Sequence, residues 1–177
     1  MATKQWSLDP SHSEVQFKVK HMMISTVTGE FKQFDVTLNT EGNDFTTAKA
    51  TFSAPLNAIT TKNEQRDNHL KSADFFDAEN HPNVTFESES VSKKNDDEYE
   101  LKGQLTIRGN SRPVTLKVEN NGVMKDPWGN TRTGFEISGK ISRKDFGLTY
   151  NAALETGGVV VGDEVRLLAN VELVQQA

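Results

Sequence analysis

The sequence has no cysteine, no long hydrophobic run and few basic residues for its length. Without cysteine, disulfides, thiolate zinc sites, CxxC redox motifs and a cysteine nucleophile are all excluded. No stretch approaches the roughly 20 apolar residues of a membrane-spanning helix, and the first residues show no apolar core of an export signal. We therefore expect a cytoplasmic protein with no membrane-spanning segment, although an exported protein whose signal had been removed would read the same.

The small number of basic residues limits the kinds of partner that the protein can bind. Lys and Arg number 20 against 25 Asp and Glu, which gives a formal net charge of −5. Cationic and anionic side chains are interspersed, which disfavours nucleic acid as a partner. The 4 histidines have no HxH, HxxxH or HExxH spacing, so we expect no metal site. No cofactor is predicted.

The chain is long enough to bury a core in one domain, which we expect to span residues 1–177. Its apolar residues are few but bulky, because 10 phenylalanines stand beside 2 tryptophans and 2 tyrosines. Apolar and polar residues alternate with period 2 in many segments, the pattern of strands with one buried face. These segments are 15–21, 34–38, 50–54, 84–86, 99–107, 114–118, 135–141 and 165–173.

Short turn signals separate the segments, for example Arg108-Gly109-Asn110. Alternating strands joined by short turns indicate an antiparallel meander or barrel and not a doubly wound α/β sheet. About eight strands close into a barrel just wide enough to be filled by side chains or to hold one slender ligand. Small residues share the inward parity with phenylalanine, which favours a lining with room left in it; they are Ala50, Ala54, Gly103, Gly139 and Ala169.

One polar segment interrupts the strands. Thr61 followed three residues later by Glu64 is a capping box, which predicts one short helix around residues 62–72. The segment has no apolar stripe, so burial in the core does not explain it.

Three interpretations of that helix stay open. It is a solvated connector, or a polar lid at the barrel mouth with Arg66, Asp67 and His69 turned inward, or a segment that an Arg66–Asp67 pair pins to the rim. A carboxylate beside an imidazole can also work as an acid–base set.

Several motifs, in a fixed order and spacing, resemble one known family. They are Trp6-Ser7-Leu8-Asp9, Ser11-His12-Ser13, Val27-Thr28-Gly29-Glu30-Phe31, the segment from Arg66 to Phe76, His81-Pro82, Gly103 to Gly109 and Ser142 to Leu148. On these residues the chain resembles the YceI-like lipid-binding proteins over nearly its whole length.

The resemblance implies an all-β, antiparallel, lipocalin-like barrel of eight strands. It implies an elongated apolar interior that holds a long isoprenoid chain, such as a polyprenyl phosphate or the tail of a quinone. At roughly 0.3 kcal/mol per non-hydrogen atom, about five or six isoprene units are needed for micromolar binding. A homodimer is compatible with this expectation.

Ligand-contacting residues follow from parity and from the resemblance. The inward candidates are Phe17, Val19, Phe34, Phe52, Phe86, Leu105, Phe135 and Ile137, with Phe75 and Phe76 beside the helix and Phe146 near the rim. Polar groups at the mouth would select the headgroup, since an apolar tube discriminates poorly between tails. These candidates are His21, Arg66 and His69.

The sequence predicts binding, storage or transport without chemistry, and no catalytic residue is assigned. Two other functions stay open. One is an enzyme that acts on a small amphiphile through Asp67 and His69, and the other is an interaction barrel with a solid core.

Overall fold

A computed structural model describes residues 3–22, 24–150 and 161–176. Within them there are 11 strands and one α-helix, which lies between the sixth and seventh strands. The elements are β1 (Thr3–Leu8), β2 (Glu14–His21), β3 (Ser25–Phe31), β4 (Asp35–Glu41), β5 (Asp44–Pro55), β6 (Ile59–Thr60), α1 (Glu64–Lys71), β7 (Asn83–Lys93), β8 (Glu98–Ile107), β9 (Asn110–Lys125), β10 (Thr131–Ser142) and β11 (Val161–Gln175).

The strands form a closed antiparallel barrel. Hydrogen bonding runs β1-β4-β5-β7-β8-β9-β10-β11 and returns to β1, which makes a ring of eight strands. The remaining three strands extend the wall, because β2 pairs with β11, β3 with β2 and β6 with β3. The eight-stranded barrel with one short helix is therefore confirmed.

Three strands were missed, namely β1, β3 and the two-residue β6. In β1 only Trp6 is buried, and in β3 the inner face of Val27, Gly29 and Phe31 has a glycine at its centre. A 3-10 turn at Pro10–His12 separates β1 from β2, and the Asp9 side chain caps it by accepting the Ser11 N–H. The turn between β1 and β2 therefore lies in a part of the chain for which the sequence pattern predicts no strand.

The inward-facing glycines are filled rather than open. A Cβ on Gly103 would lie 2.5 Å from the ring of Phe86, and one on Gly139 would lie 2.4 Å from Cδ2 of Leu116. Gly29, on β3, accommodates the ring of Phe17 in the same way. Glycine at these positions lets a neighbouring side chain lie flat across the strand, so the expectation that Gly103 and Gly139 leave room in the lining is wrong.

The helix starts differently from the prediction. Its N-cap is Asn63, whose Oδ1 accepts the Arg66 N–H at 3.0 Å, and the Thr61–Glu64 capping box does not form. Lys62 has a φ of 64°, which reverses the chain before the first turn. α1 buries no residue. Among the described residues, no helix has the length and apolar character to cross a membrane.

Candidate functional site

The barrel encloses an apolar cavity of about 220 Å³. Its lining comes from most strands of the ring and from the segment after α1. Gln16 and Thr51 also border it, but their strand parity turns both side chains outward, opposite to Phe17 and Phe52. Of the described lining residues, Arg143 alone carries a charge.

A smaller pocket of about 80 Å³ continues the cavity along the barrel. The two spaces share part of their lining, namely Val36, Ala50, Leu101, Ile137 and Val171. They therefore form two chambers of one bore, separated by a few aliphatic side chains.

An aromatic cluster seals the far side of the smaller pocket; we call it the closed end and define it by Trp6, Phe45, Tyr99 and Phe135. The Phe45 and Phe135 rings meet edge to face, with centroids 5.1 Å apart. Phe45 also contacts Trp6 at 6.1 Å and Tyr99 at 6.3 Å. The Trp6 Nε1–H donates to Thr40 Oγ1 at 3.0 Å, which satisfies the one polar group of that indole.

The opposite side of the bore is the covered end, formed by segments 61–82 and 143–148. Leu70, Phe75 and Phe76 line the cavity from the first segment, and Leu148 lines it from the second. Arg108 joins the two segments, because its Nη1 donates to the carbonyls of Phe75 at 3.1 Å and Gly147 at 3.4 Å. This end is closed by hydrogen-bonded chain and not by strands.

Arg66 and Asp67 both bind Thr61, which follows β6 at the rim. Asp67 Oδ1 accepts the Thr61 N–H at 2.7 Å and the Thr61 hydroxyl at 2.5 Å. The Arg66 guanidinium donates to Thr61 Oγ1 at 2.7 Å and to the Thr61 carbonyl at 2.6 Å. This geometry corresponds to the third interpretation of the helix, a segment pinned to the rim.

His69 belongs to a cluster of three rings on the covered end. Its centroid lies 5.0 Å from those of Phe75 and Tyr150, and these two rings are 5.1 Å apart. His69 Nε2 lies 2.8 Å from Asp74 Oδ2. Among the described residues no hydrogen bond joins His69 to Asp67, so the two groups of the enzyme hypothesis have separate partners.

The Arg143 side chain is only 6% exposed and binds backbone carbonyls. Nε donates to Gly162 at 2.8 Å, Nη1 to Leu148 at 2.8 Å and Tyr150 at 3.1 Å, and Nη2 to Val161 at 3.2 Å. Burial lowers the pKa of Arg143 because it penalises the charged form, and the negative charge of Asp163 opposes that shift.

Nine of the sequence candidates line the bore. Eight border the larger chamber, namely Phe17, Val19, Phe52, Phe75, Phe76, Phe86, Leu105 and Ile137. Phe135 borders the smaller pocket. Strand parity and the two phenylalanines after α1 account for this group.

The remaining candidates lie outside the described lining. Phe34 packs its ring against Phe52 at 6.1 Å. Phe146 is 1% exposed and borders an outer groove between β9, β10 and β11. His21 ends β2, opposite Ser25 and Val161. Arg66 and His69 hold the contacts given above.

Arg143 was not selected from the sequence as a site residue, although it stands in a family-like motif. The useful signal is an arginine two residues after an inward-facing isoleucine, Ile141, just past the end of a strand. That signal shows nothing of the acceptors, because two carbonyls come from the following loop and two from residues 18 and 19 positions later.

A second charged cluster lies on the outer wall and holds β1, β10 and β11 together. Arg132 Nη1 lies 2.7 Å from Asp9 Oδ2 and 2.9 Å from Glu172 Oε2, and Arg132 Nε lies 2.7 Å from Asp126 Oδ2. Hydrogen bonds from Ser11, Arg132 and His12 hold the pKa of Asp9 well below its usual value. Asp9, His12 and Glu172 are close enough together to ligate a metal ion, but Arg132 already binds one oxygen of each of the two carboxylates.

Comparison with known proteins gives one family. The family model for the YceI-like domain matches residues 6–173. A UPF0312 protein of Staphylococcus epidermidis is 45% identical over 169 residues, which cover 95% of this chain and 96% of that protein.

Solved structures agree with the barrel. The YCEI protein of Campylobacter jejuni is 32% identical and superposes with a TM-score of 0.78, covering 96% of this chain and 97% of its own. A domain from Saccharophagus degradans described as polyisoprenoid binding superposes with a TM-score of 0.68, covering 97% of this chain and 98% of its own. At 15% identity the second likeness shows the fold alone.

Proposed function

This chain belongs to the YceI-like domain family, and from that premise we propose that it binds one isoprenoid or similar lipid tail inside the barrel and stores or carries it unchanged. The observation that carries the proposal is the bore, whose described lining consists of apolar side chains and one charged group, Arg143. Apolar pockets with few polar groups are the usual binding sites of apolar ligands. The polyisoprenoid-binding description of the S. degradans domain supports the same ligand class.

The volume of the bore limits the tail that fits without rearrangement. An apolar cavity of about 150 Å³ accommodates benzene. By that ratio the larger chamber of about 220 Å³ has room for about nine carbon atoms, and the pocket of about 80 Å³ for about three more. A tail of two to three isoprene units therefore fills the bore as it stands. This is shorter than the roughly five or six units expected from the sequence for micromolar binding, so a tail of that length has to displace aromatic side chains or extend beyond the covered end.

Binding without conversion agrees with the contacts of the polar groups. Asp67 is held by Thr61 and His69 by Asp74, and neither lines the bore. The enzyme hypothesis would need both groups to turn toward the ligand. A purified protein that releases a chemically unchanged lipid supports the carrier over the enzyme.

Native mass spectrometry of the purified protein, followed by organic extraction, tests the proposal directly. We expect a stoichiometric adduct that yields a prenyl or other long-chain species. Delipidated protein should then bind prenyl alcohols with an affinity that rises steeply up to about twelve carbon atoms and less steeply beyond, because the bore is then full. An empty protein that gains no thermal stability from any of these alcohols contradicts the proposal and supports the solid barrel.

One variant pair separates the bore from the surface. Ala50 borders both chambers and the adjacent Lys49 is exposed, so Ala50→Phe fills the bore while Lys49→Phe adds the same ring outside it. We expect A50F to weaken tail binding at least tenfold and K49F to leave it unchanged. Equal binding by both variants would place the ligand elsewhere.

A further inference from the structure

Within the described residues, the charge of Arg143 has no counterion in direct contact. Among the described residues no carboxylate oxygen lies within 4.0 Å of its nitrogens, whereas Arg132 on the outer wall pairs with three carboxylates. The Asp163 carboxylate acts on Arg143 through space, but it accepts its hydrogen bonds from the Ser142 hydroxyl and from the Lys144 N–H at 3.2 Å. In the described part of the chain, Arg143 therefore brings to the apolar bore a positive charge that carbonyl groups stabilise but no direct ion pair offsets.

The other two arginines of the covered end differ from Arg143 in their position and in their exposure to water. Arg66 and Arg108 also bind backbone carbonyls, but neither borders the bore, and Arg66 is exposed while Arg108 is half-buried. Water screens the charges of those two residues. A cation surrounded by apolar side chains is screened much less, so an anion beside it is attracted more strongly.

The position of Arg143 suits the end of a tail. It follows β10 at the covered end, where Leu148 and Val161 line the same part of the bore. The aromatic cluster of the closed end lies at the other extreme of that strand, beside Phe135. A tail that fills the bore toward the closed end leaves its headgroup near the guanidinium.

From these observations, and resting on the proposed function, we infer that Arg143 is a headgroup-recognition residue that selects tails ending in an anionic group, a phosphate or a carboxylate. Four of the five N–H donors of Arg143 bind carbonyls of described residues, which leaves one Nη2 hydrogen for the anion. A charge-assisted hydrogen bond from that group to a phosphate or a carboxylate is about twice as strong as a neutral one. A neutral alcohol or a cationic headgroup gains no such interaction.

The test compares three ligands with one tail: farnesyl monophosphate, farnesoic acid and farnesol, each titrated into delipidated protein at low ionic strength. We expect the wild type to bind one or both anions at least tenfold more tightly than the alcohol. Which of the two anions binds more tightly identifies the headgroup. Equal affinity for all three overturns this inference alone, whereas failure of all three to bind overturns the proposed function as well.

Two variants distinguish recognition from a purely structural role. Arg143→Met should bring the anions down to the affinity of farnesol, and Arg143→Lys should keep part of the preference. Arg108→Met is the matched control, because it also removes carbonyl bonds at the covered end but no charge from the bore. It should leave the ratio between anion and alcohol unchanged. An unchanged ratio in R143M contradicts the inference, and if R143M does not fold, the wild-type ratio and R143K still test it.

The last experiment adds inorganic phosphate alone to the delipidated protein. A free-anion site would show a thermal shift with millimolar phosphate that disappears in R143K or R143M, and phosphate would then compete with farnesyl monophosphate. We expect no such shift, because the affinity comes from the tail and the anion together. A competing phosphate ion would assign Arg143 to a small anion instead of a lipid headgroup.

Discussion

The two ends of the barrel are closed by different kinds of interaction. At the closed end, aromatic rings on four strands pack against one another, edge to face where Phe45 meets Tyr99 and Phe135, and the one indole N–H has a buried acceptor. At the covered end, a helix that buries no residue is held by hydrogen bonds to Thr61 and by the ring cluster around His69. Opening the closed end exposes apolar surface and requires strands to separate, whereas opening the helix exchanges its hydrogen bonds for hydrogen bonds to water.

The comparison teaches which end can admit a ligand. The helix buries no residue and a few hydrogen bonds of about 1–3 kcal/mol each hold it, so its local opening costs less than global unfolding. The closed end has no comparable weak point among the described residues. We therefore expect entry at the covered end, and the following variants are ordered by the size of the effect that each should have on this difference.

Phe45→Ala should have the largest effect. The Phe45 ring is 5% exposed and touches Trp6, Tyr99 and Phe135, so its removal leaves a cavity that strands cannot close. We expect a loss of about 3–5 kcal/mol in the free energy of unfolding, measured by denaturant titration. A loss below about 1 kcal/mol would show that the closed end is not the stronger one.

Asp67→Ala should have an intermediate effect confined to the covered end. It leaves the N–H of Thr61, a residue only 5% exposed, without its acceptor, at a cost of about 1–3 kcal/mol. Amide exchange in α1 and tail uptake should both become faster while strand amides stay protected. Asp67→Asn is the control, because its amide oxygen can still accept both bonds. Equal acceleration in strands and helix would contradict separate opening of this end.

Asp9→Asn tests the outer wall beside the closed end, with a smaller effect that depends on pH. The pKa of Asp9 is lower in the folded than in the unfolded chain because Ser11, Arg132 and His12 bind its charged form. Its contribution to stability is therefore fully present above the unfolded value of about 3.9 and is lost as the pH falls through the lower folded value. The wild type should have the higher Tm at pH 7, and the difference should shrink below about pH 4. A constant difference would show that the charge is not responsible.

Trp128→Ala should have the smallest effect. This side chain is 81% exposed in the turn between β9 and β10, although it is as large as Trp6. We expect the free energy of unfolding to change by no more than about 0.5 kcal/mol. The variant therefore shows that loss of an aromatic ring by itself does not account for the large effect of F45A. A larger loss would indicate a contact of Trp128 in solution.

Strand parity predicted seven of the residues that line the bore, because side-chain direction in a strand is fixed by position alone. It placed Phe52 and Phe86 correctly on the inner face, where they pair across β5 and β7. It could not show that the Phe86 ring lies over Gly103, since that contact depends on the neighbouring strand.

The polar residues could not be placed from sequence in the same way. Arg66, Asp67 and His69 were proposed to face inward in one interpretation, but the helix has no apolar side to fix its rotation. Their partners are Thr61 and Asp74, both within a few residues of the helix. Arg143 binds two carbonyls of the loop that follows it, and the other two, from Val161 and Gly162, reach it only when β11 pairs with β10.

The pairing of β11 with both β1 and β2 has a consequence for how the chain folds. β11 contacts residues more than 140 positions earlier, as in the Ala169–Val15 and Leu173–Leu8 pairs. Until those strands meet, the phenylalanine-rich inner face is exposed to water along an open sheet with two free edges. Such long-range pairing slows folding. During synthesis the chain is prone to aggregation until β11 has left the ribosome and can pair with the early strands.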